Sequence, residues 1–161
     1  MSKSVDHMSQ RCKVLTMYPV EVAKVAATLG GSLILGTQPQ TVGELAAAVS
    51  RGLPRGVVGQ IALRAARGPE ARRRVTARVV SPATYKRSSQ LSPAASERAE
   101  RLARVTALAQ QALGNPDEAA AWLGERHFLL DDRPPIEVAA TDLGARQVER
   151  ILLNIEHSLP A

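Results

Sequence analysis

The sequence predicts an all-α fold, and three observations lead to that prediction. First, 45% of the 161 residues are hydrophobic but only 2% are aromatic, so a core has to be built from Ala, Val, Leu and Ile. Ala and Leu are strong helix formers. Second, Pro and Ser residues stand where helices would begin, and Gly residues stand where they would end. Third, long alternating runs of β-branched residues are absent, and residues 32–35 form the only segment typical of a strand.

Apolar residues at helical spacing, together with start and stop residues, place the individual helices. Thr41 with Glu44 three residues later forms a capping box, and Asn115 before Pro116 is a second strong helix start. Residues 124–133 are predicted to form a loop. The predicted helices span residues 19–29, 42–50, 54–66, 69–79, 83–89, 93–113, 116–123, 135–140 and 142–157.

The longest predicted helix carries two pairs of opposite charge at a spacing of four residues. Glu97 precedes Arg101, and Glu100 precedes Arg104. Side chains four residues apart are neighbours on a helix surface. Both pairs are expected on the outer, solvent-exposed face of this helix.

Charge is distributed unevenly along the chain. The formal net charge is +6, but residues 51–90 contain ten basic side chains and a single acid, Glu70, whereas residues 91–161 contain seven basic and eleven acidic side chains. A concentrated basic block favours a polyanion partner, and an acidic block beside it favours a different one. The alternative is a solvated basic face that binds nothing.

The basic block also contains short predicted helices joined by tight turns, a pattern typical of a helix-turn-helix. Residues 82–89 would form the recognition helix, whose basic and hydroxyl side chains can contact base edges or phosphates. The preceding helix supplies four arginines suited to phosphate contacts. The predicted DNA-binding residues are Arg72, Arg73, Arg74, Arg78, Thr84, Lys86, Arg87 and Ser88.

The sequence does not indicate a disulfide-bonded, membrane-spanning or secreted protein, or an enzyme. Cys12 is the only cysteine, which excludes an intramolecular disulfide and fits a reducing cytoplasm. No apolar stretch approaches the roughly 20 residues of a membrane helix. Residues 1–13 are polar and lack the apolar stretch of a signal peptide, and residues 1–18 are expected to be a flexible arm. No catalytic constellation, metal site or cofactor-binding motif is present, so we expect a protein that is not an enzyme.

Short segments between residues 91 and 161 form one recognisable pattern. They are Leu91-Ser92-Pro93, residues 97–105, Ala109 with Gly114-Asn115-Pro116, residues 118–123, Pro135-Ile136-Glu137-Val138, residues 141–146, residues 148–152 and Ile155-Glu156-His157. Through these segments, residues 91–161 resemble the Xre/MbcA/ParS family of antitoxins. The resemblance extends upstream to residues 44–54 and to Thr84-Tyr85-Lys86-Arg87, at the place of the recognition helix, and so covers about 120 residues.

The resemblance implies a fold, two partners and a dimer. It implies an Xre-like helix-turn-helix N-terminal domain that binds operator DNA and represses its own operon, and a small helical C-terminal domain that binds a RES-domain toxin. Such toxins consume NAD, either by degrading it or by using it to ADP-ribosylate a target. The C-terminal end of the antitoxin lies in or across the NAD cleft and blocks it, and antitoxins of this kind usually form homodimers.

The sequence departs from the family pattern in three places. The family often has Gly-Gly before the short Pro-Leu helix, whereas this chain has Leu130-Asp131-Asp132-Arg133-Pro134-Pro135 there, so the loop is expected to meet its toxin differently. The predicted helix at 69–79 is unusually rich in Arg. His157 is followed by Ser158-Leu159-Pro160-Ala161 instead of the common Gly.

The last predicted helix is amphipathic, and the short segment after it can enter a cleft. Glu156 is suited to pair with cationic groups that bind NAD phosphates. Trp122 is the only tryptophan and is expected in the core, with an interface anchor as the alternative. The predicted toxin-binding residues are Trp122, Arg146, Arg150, Asn154, Glu156, His157 and Leu159.

The predicted organisation is therefore an arm at 1–18, a helix-turn-helix region at 19–90, and a dimerisation and toxin-binding domain at 91–161. A second hypothesis is a stand-alone dimeric helix-turn-helix regulator whose acidic C-terminal domain only dimerises. A third is that the helix-turn-helix is vestigial and binds no DNA.

Overall fold

A computed structural model describes residues 18–158, and within that range the chain is helical without a named strand, which confirms the all-α prediction. A 3-10 turn at Phe128–Leu130 interrupts the connection between two of the helices. The helices are α1 Val22–Thr28, α2 Gly31–Leu35, α3 Val42–Arg51, α4 Gly56–Ala65, α5 Pro69–Val79, α6 Pro82–Arg87, α7 Pro93–Leu113, α8 Pro116–Gly124, α9 Pro135–Val138 and α10 Asp142–Ser158.

Helix α7 forms the centre of the fold. It packs against α1, α3, α4 and α5 and also against α8 and α10. From Leu102 to Ala109 every residue except Arg104 is buried, and a helix that is apolar around most of its circumference is expected to be enclosed by others. One hydrophobic core therefore runs from Val20 through α7 to Leu152. The domain boundary at residue 90/91 remains a prediction, because α7 contacts helices on both sides of it.

The predicted N-cap residues accept the expected hydrogen bonds. Thr41 Oγ1 accepts from the backbone N–H of Glu44 at 3.2 Å, and Asn115 Oδ1 accepts from the N–H of Asp117 at 2.8 Å. These bonds satisfy donors that the first turn of a helix leaves without intrahelical partners. The return bond of the capping box differs from the prediction, because Glu44 Oε2 accepts from the N–H of Gln40 at 2.7 Å, one residue before the N-cap.

The strand considered at residues 32–35 is wrong, because this segment is the single-turn helix α2. Three consecutive apolar residues are too few to show either periodicity, and tertiary contacts decide the conformation. Ile34 lies over Gly56 at the start of α4, and Gly30 turns the chain into α2 with a φ of 108°. The first helix also begins later than predicted, at Val22.

Helices α7 and α10 run parallel, and polar side chains fix their alignment. Arg101 Nη1 donates to the carbonyl of Ala140 at 3.1 Å, near the start of α10. Ten residues further along α7, Gln111 Nε2 donates to Glu156 Oε1 at 2.8 Å, near the end of α10. Residue numbers therefore increase in the same direction along both helices. The carboxyl ends of α7 and α10 lie at the same end of the molecule.

A close approach of backbone to backbone shapes the corner between α9 and α10. A Cβ atom on Gly144 would lie 1.9 Å from the carbonyl oxygen of Val138, far inside contact distance. The N–H of Gly144 donates to Thr141 Oγ1 at 3.1 Å, and this hydrogen bond holds the peptide group in its orientation. Only glycine fits this position without displacing α9. No helix among residues 18–158 combines the length and apolar character needed to cross a membrane.

Candidate nucleic-acid and partner interfaces

The basic block folds into α4, α5 and α6, and α5 carries most of its arginines. Pro69 occupies the first turn of α5 and Glu70 follows it, a favourable start for a helix. Val75 and Val79 are buried and hold one face of α5 against the core. The four predicted DNA-binding arginines of α5 are all exposed.

These four arginines point in two directions. Arg74 and Arg78 line a groove of about 530 Å³ between α5 and the α8–α9 region. Arg78 Nη2 lies 3.3 Å from Glu137 Oε2 across this groove, and Arg74 Nη1 lies 2.9 Å from Glu70 Oε1. At about 100° per residue, Arg73 projects almost opposite the buried Val75. Arg73 is therefore the α5 arginine best placed to contact a partner in solvent, while Arg72 is exposed and its Nε donates to the Ala66 carbonyl at 3.3 Å.

Helix α6 is short and is attached to the core by its aromatic residue. Tyr85 is half-buried, the Arg55 guanidinium lies 5.3 Å from the centre of its ring, and Arg55 Nη1 donates to the Tyr85 carbonyl at 2.9 Å. Ser81 caps the helix by accepting from the N–H of Thr84 at 3.2 Å. Tyr85 thus packs inward, while Thr84, Lys86 and Arg87 on the same helix are exposed.

The predicted DNA-contact residues in and just after α6 differ in exposure and in the hydrogen bonds that they form within the protein. Thr84, Lys86 and Arg87 are exposed, and Arg87 Nε donates to the Ala83 carbonyl at 3.2 Å. Ser88 is half-buried and its hydroxyl bonds to the backbone of Gln90, so it shapes the loop after α6. Within residues 18–158, Lys86 forms no ion pair and no side-chain hydrogen bond. Lys86 and Arg87 are the α6 cations best placed for an anionic partner.

Four of the five predicted partner-binding residues of α10 share one face. Ala145, Val148 and Leu152 are fully buried on the side toward α7. The exposed residues lie about opposite this stripe at helical spacing, and we call them the α10 face: Arg146, Arg150, Asn154 and His157. The structure therefore brings four of the seven predicted residues together. Leu159 lies outside the described residues.

Glu156 and Trp122 are placed differently from the α10 face. Glu156 is half-buried and accepts from Gln111, whose own Oε1 accepts from Lys24 Nζ at 2.8 Å. Trp122 is half-buried on α8 and packs against the core, with part of its surface in solvent. Arg146 Nε lies 3.1 Å from Asp142 Oδ2, an exposed pair on the same helix.

A cluster of charged residues joins α7 and α10, and sequence reasoning placed part of it on the wrong side. Glu100 and Arg104 pair at 3.6 Å as predicted, but each side chain is only 16% exposed, so the pair is not on an outer face. Arg104 Nε lies 2.8 Å from Glu149 Oε1 without the alignment of a linear hydrogen bond, and Tyr18 donates to Glu100. These residues are up to 131 positions apart in sequence, so no local pattern could have revealed the cluster.

Burial raises the pKa values of two members of this cluster, Tyr18 and Glu149. Desolvation raises the pKa of Glu149 above its ordinary value, although Arg104 acts in the opposite direction. Desolvation and the Glu100 carboxylate raise the pKa of the Tyr18 phenol well above its usual range. The cluster holds the first half of α10 on α7 and is a structural rather than a reactive arrangement.

Sequence reasoning missed an exposed aromatic turn in the loop after α8. Phe128 is 78% exposed and Leu129 is 58% exposed. The His127 ring stacks on Phe128 with 5.2 Å between centroids and meets Trp122 edge-on at 5.6 Å. The one signal in the sequence was the apolar triplet Phe128-Leu129-Leu130 inside a segment predicted to be a loop.

The backbone after this turn is unusual. Asp131 and Asp132 both have positive φ, at 55° and 54°. Glycine adopts this left-handed region without steric cost, whereas an L side chain there is strained. Among residues 18–158, no group of three or more His, Cys, Asp or Glu side chains could hold a metal ion.

Comparison with known proteins matches the C-terminal part of the chain. Residues 108–157 match the family model described as the antitoxin Xre/MbcA/ParS C-terminal toxin-binding domain. The match covers the end of α7, α8, the aromatic turn, α9 and nearly all of α10. It confirms the resemblance for this part of the chain. A search of curated proteins found no match.

Proposed function

Since residues 108–157 carry an Xre/MbcA/ParS-type toxin-binding domain, we propose that this protein is the antitoxin of a type II toxin–antitoxin module. In this proposal it neutralises a RES-domain toxin that consumes NAD, and it represses its own operon by binding DNA. The role is non-enzymatic and is exercised in the cytoplasm, where the toxin would find NAD and where the operator lies.

The observation that carries the proposal is the α10 face inside the matched segment. Its residues are exposed, while the opposite side of α10 is anchored on α7 by Leu152, Val148 and the Arg104–Glu149 ion pair. A binding face on a rigid helix loses little conformational entropy when a partner docks. The final turn, with Asn154 and His157, is the part of this face nearest to the segment that would enter the NAD cleft.

Blocking of the cleft follows from charge and position. Glu156 lies at the end of α10 and only its Oε1 is bonded, to Gln111. A carboxylate there can pair with the cationic groups that would otherwise bind NAD phosphates. Leu159 and the residues around it would fill the remaining space, so that the toxin could neither degrade NAD nor use it to ADP-ribosylate a target.

Co-expression with the product of the adjacent gene tests this part. The full chain is expected to form a stable complex and to prevent NAD loss, whereas a variant ending after Leu153 is expected to leave NAD depletion unchecked. Asn154→Ala/His157→Ala, which removes only exposed side chains, should weaken binding without altering the circular dichroism spectrum. Full protection by the truncated chain would contradict the proposal. An intact chain that ignores the neighbour but binds its promoter would instead support a stand-alone dimeric regulator.

The DNA-binding part rests on the exposed cations of α5 and α6. Arg72 and Arg73 of α5 do not line the groove, and they are exposed like Lys86 and Arg87 of α6. Side chains of this kind bind backbone phosphates, while Thr84 and the α6 cations can reach base edges. A homodimer would present two such surfaces to the half-sites of one operator.

Fluorescence anisotropy with the upstream promoter duplex over a range of salt concentrations tests this part. Each lost phosphate contact lowers the slope of log affinity against log salt by about 0.9, so Arg72→Gln/Arg73→Gln should lower it by about 1.8. The matched control is Arg146→Gln/Arg150→Gln, which removes two exposed arginines from α10 and should leave the slope unchanged. Equal slopes for the wild-type and the α5 variant would exclude these residues from the DNA interface, and no binding at low salt would indicate a vestigial module.

A further inference from the structure

The aromatic turn, residues His127, Phe128 and Leu129, is an apolar projection in an otherwise polar loop. Phe128 and Leu129 expose 78% and 58% of their surfaces, whereas Leu130 beside them is buried at 4%. Scattered exposed hydrophobic residues are common, but adjacent ones on a defined loop are typical of interaction sites. Such a site binds best when the loop holds its side chains in a fixed position.

Several contacts do hold the turn in place. Leu130 anchors it to the core, and the N–H of Leu129 donates to His127 Nδ1 at 3.2 Å. The N–H of His127 donates to the carbonyl of Arg133 at 3.3 Å and closes the base of the loop. The edge-on contact with Trp122 and the stack on Phe128 fix the imidazole between two rings. The backbone of the turn is therefore held at its base, and the His127 ring supports one face of the Phe128 ring.

The backbone is held in a costly conformation at the same loop. Two successive non-glycine residues, Asp131 and Asp132, lie in the left-handed region. Such conformations cost on the order of 1 kcal/mol each and tend to occur where function requires a particular loop shape. The strain and the exposed ring thus occur within five residues of one another.

We propose that the aromatic turn is a second anchor for the toxin, in which Phe128 and Leu129 enter an apolar pocket on the toxin surface. This inference rests on the proposed antitoxin function. It adds a contact that is separate from the carboxyl end of α10. The turn precedes α9 and the start of α10, whereas Gln111 and Glu156 mark the opposite end of that helix.

The position of the turn in the chain favours the toxin over a second copy of this chain as the occupant, because the turn and the α10 face both lie in the matched toxin-binding segment. A stable interface buries about 800 Å² per partner, far more than Phe128 and Leu129 can supply alone, so the occupant has to contact other residues of this segment as well. Rigid aromatic residues are also the type that most often dominates the binding energy of an interface.

The test measures the Kd of full-length variants for the purified product of the adjacent gene. Phe128→Ala is expected to weaken binding by about tenfold or more, and Phe128→Tyr, which keeps the ring, by less than about threefold. Leu33→Ala is the matched control, because Leu33 is 92% exposed on α2 outside the matched segment. It should leave the Kd unchanged, and the melting temperature of all three variants should equal that of the wild type.

Each outcome has a distinct meaning. Wild-type binding together with equally tight binding by Phe128→Ala would overturn this inference and leave the antitoxin function standing. A Phe128→Ala variant that changes the monomer–dimer equilibrium but not the toxin Kd would assign the turn to self-association, which also overturns it. Absence of binding by the wild type would remove the antitoxin function and this inference together.

Discussion

The α5–α6 region and the α7–α10 region both contain many arginines, yet they use them differently. On α5, arginines such as Arg72 and Arg73 project into solvent from a short helix whose only buried positions are two valines. On α7, Arg104 is enclosed by Glu100, Glu149 and the Tyr18 ring. The same side chain serves a surface in one region and the packing of helices in the other. Burial therefore decides whether an arginine serves a binding surface or the packing of helices, because the residue type is compatible with both.

The α9–α10 corner and helix α4, which precedes the α5–α6 region, should respond oppositely to a Gly-to-Ala change. Gly144→Ala places a methyl group against the Val138 carbonyl and should lower the free energy of unfolding by about 3 kcal/mol. Gly59→Ala in α4 meets no atom within 4 Å and should raise it by about 0.5–1 kcal/mol. Urea denaturation monitored by circular dichroism measures both. Similar shifts for the two variants would show that the α9–α10 corner relaxes easily.

Removing one arginine from each region sharpens the comparison. Arg104→Met leaves Glu100 and Glu149 without their cation in a site where these side chains are 16% and 13% exposed, and should cost about 2 kcal/mol of stability. Arg74→Met breaks an exposed pair with Glu70 and should cost less than about 0.5 kcal/mol. The unfolding free energies of both variants can be compared in one urea series. Equal losses would mean that the α7 cluster is as solvated as the α5 surface.

The left-handed turns of the two regions give a third comparison. Asp131→Gly and Asp132→Gly should each stabilise the protein by about 1 kcal/mol, since glycine relieves the positive φ. Gly68, which precedes α5 with a φ of 78°, should behave in the opposite way, and Gly68→Ala should destabilise by about 1 kcal/mol. Thermal melting of the three variants tests this. Destabilisation by either Asp replacement would indicate that the carboxylate itself supports the loop.

The pH dependence of stability is the smallest expected effect. The pKa of Glu149 is higher in the folded protein than its ordinary value of 4.5, so the folded state binds more protons in the window above 4.5. Stability due to this group therefore falls as pH rises from about 4.5 through the folded pKa. Glu149→Gln should flatten the unfolding free energy across that window, with Glu97→Gln, on an exposed carboxylate, as the control. An unchanged pH profile would place the Glu149 carboxylate in a solvated environment.

Local signals predicted much of this fold. The capping box at Thr41 and the helix start at Asn115 depend on residues within three positions, and the structure contains their hydrogen bonds. The amphipathic stripe of α10 likewise follows from spacing alone, and Val148 and Leu152 are buried as that spacing requires. The α10 face could therefore be assembled from the sequence before its geometry was known.

Contacts between distant segments were not predictable in the same way. Arg104 is paired with Glu149, 45 positions away, and Arg78 with Glu137, 59 positions away. Periodicity indicates that a residue faces inward or outward but does not name its partner. For this reason Arg78 was grouped with Arg72 and Arg73, and the exposed position of Phe128 was not foreseen.

The central position of α7 has a consequence for turnover of the protein. Because this single helix supports α4 and α5 on one side and α8 and α10 on the other, its opening would expose the whole hydrophobic interior at once. A cellular protease that captures the opened chain could then cleave it on either side of α7, since the helices before and after α7 would both have lost their packing partner. Under the proposed function, the freed toxin and the vacated promoter would appear in the same event.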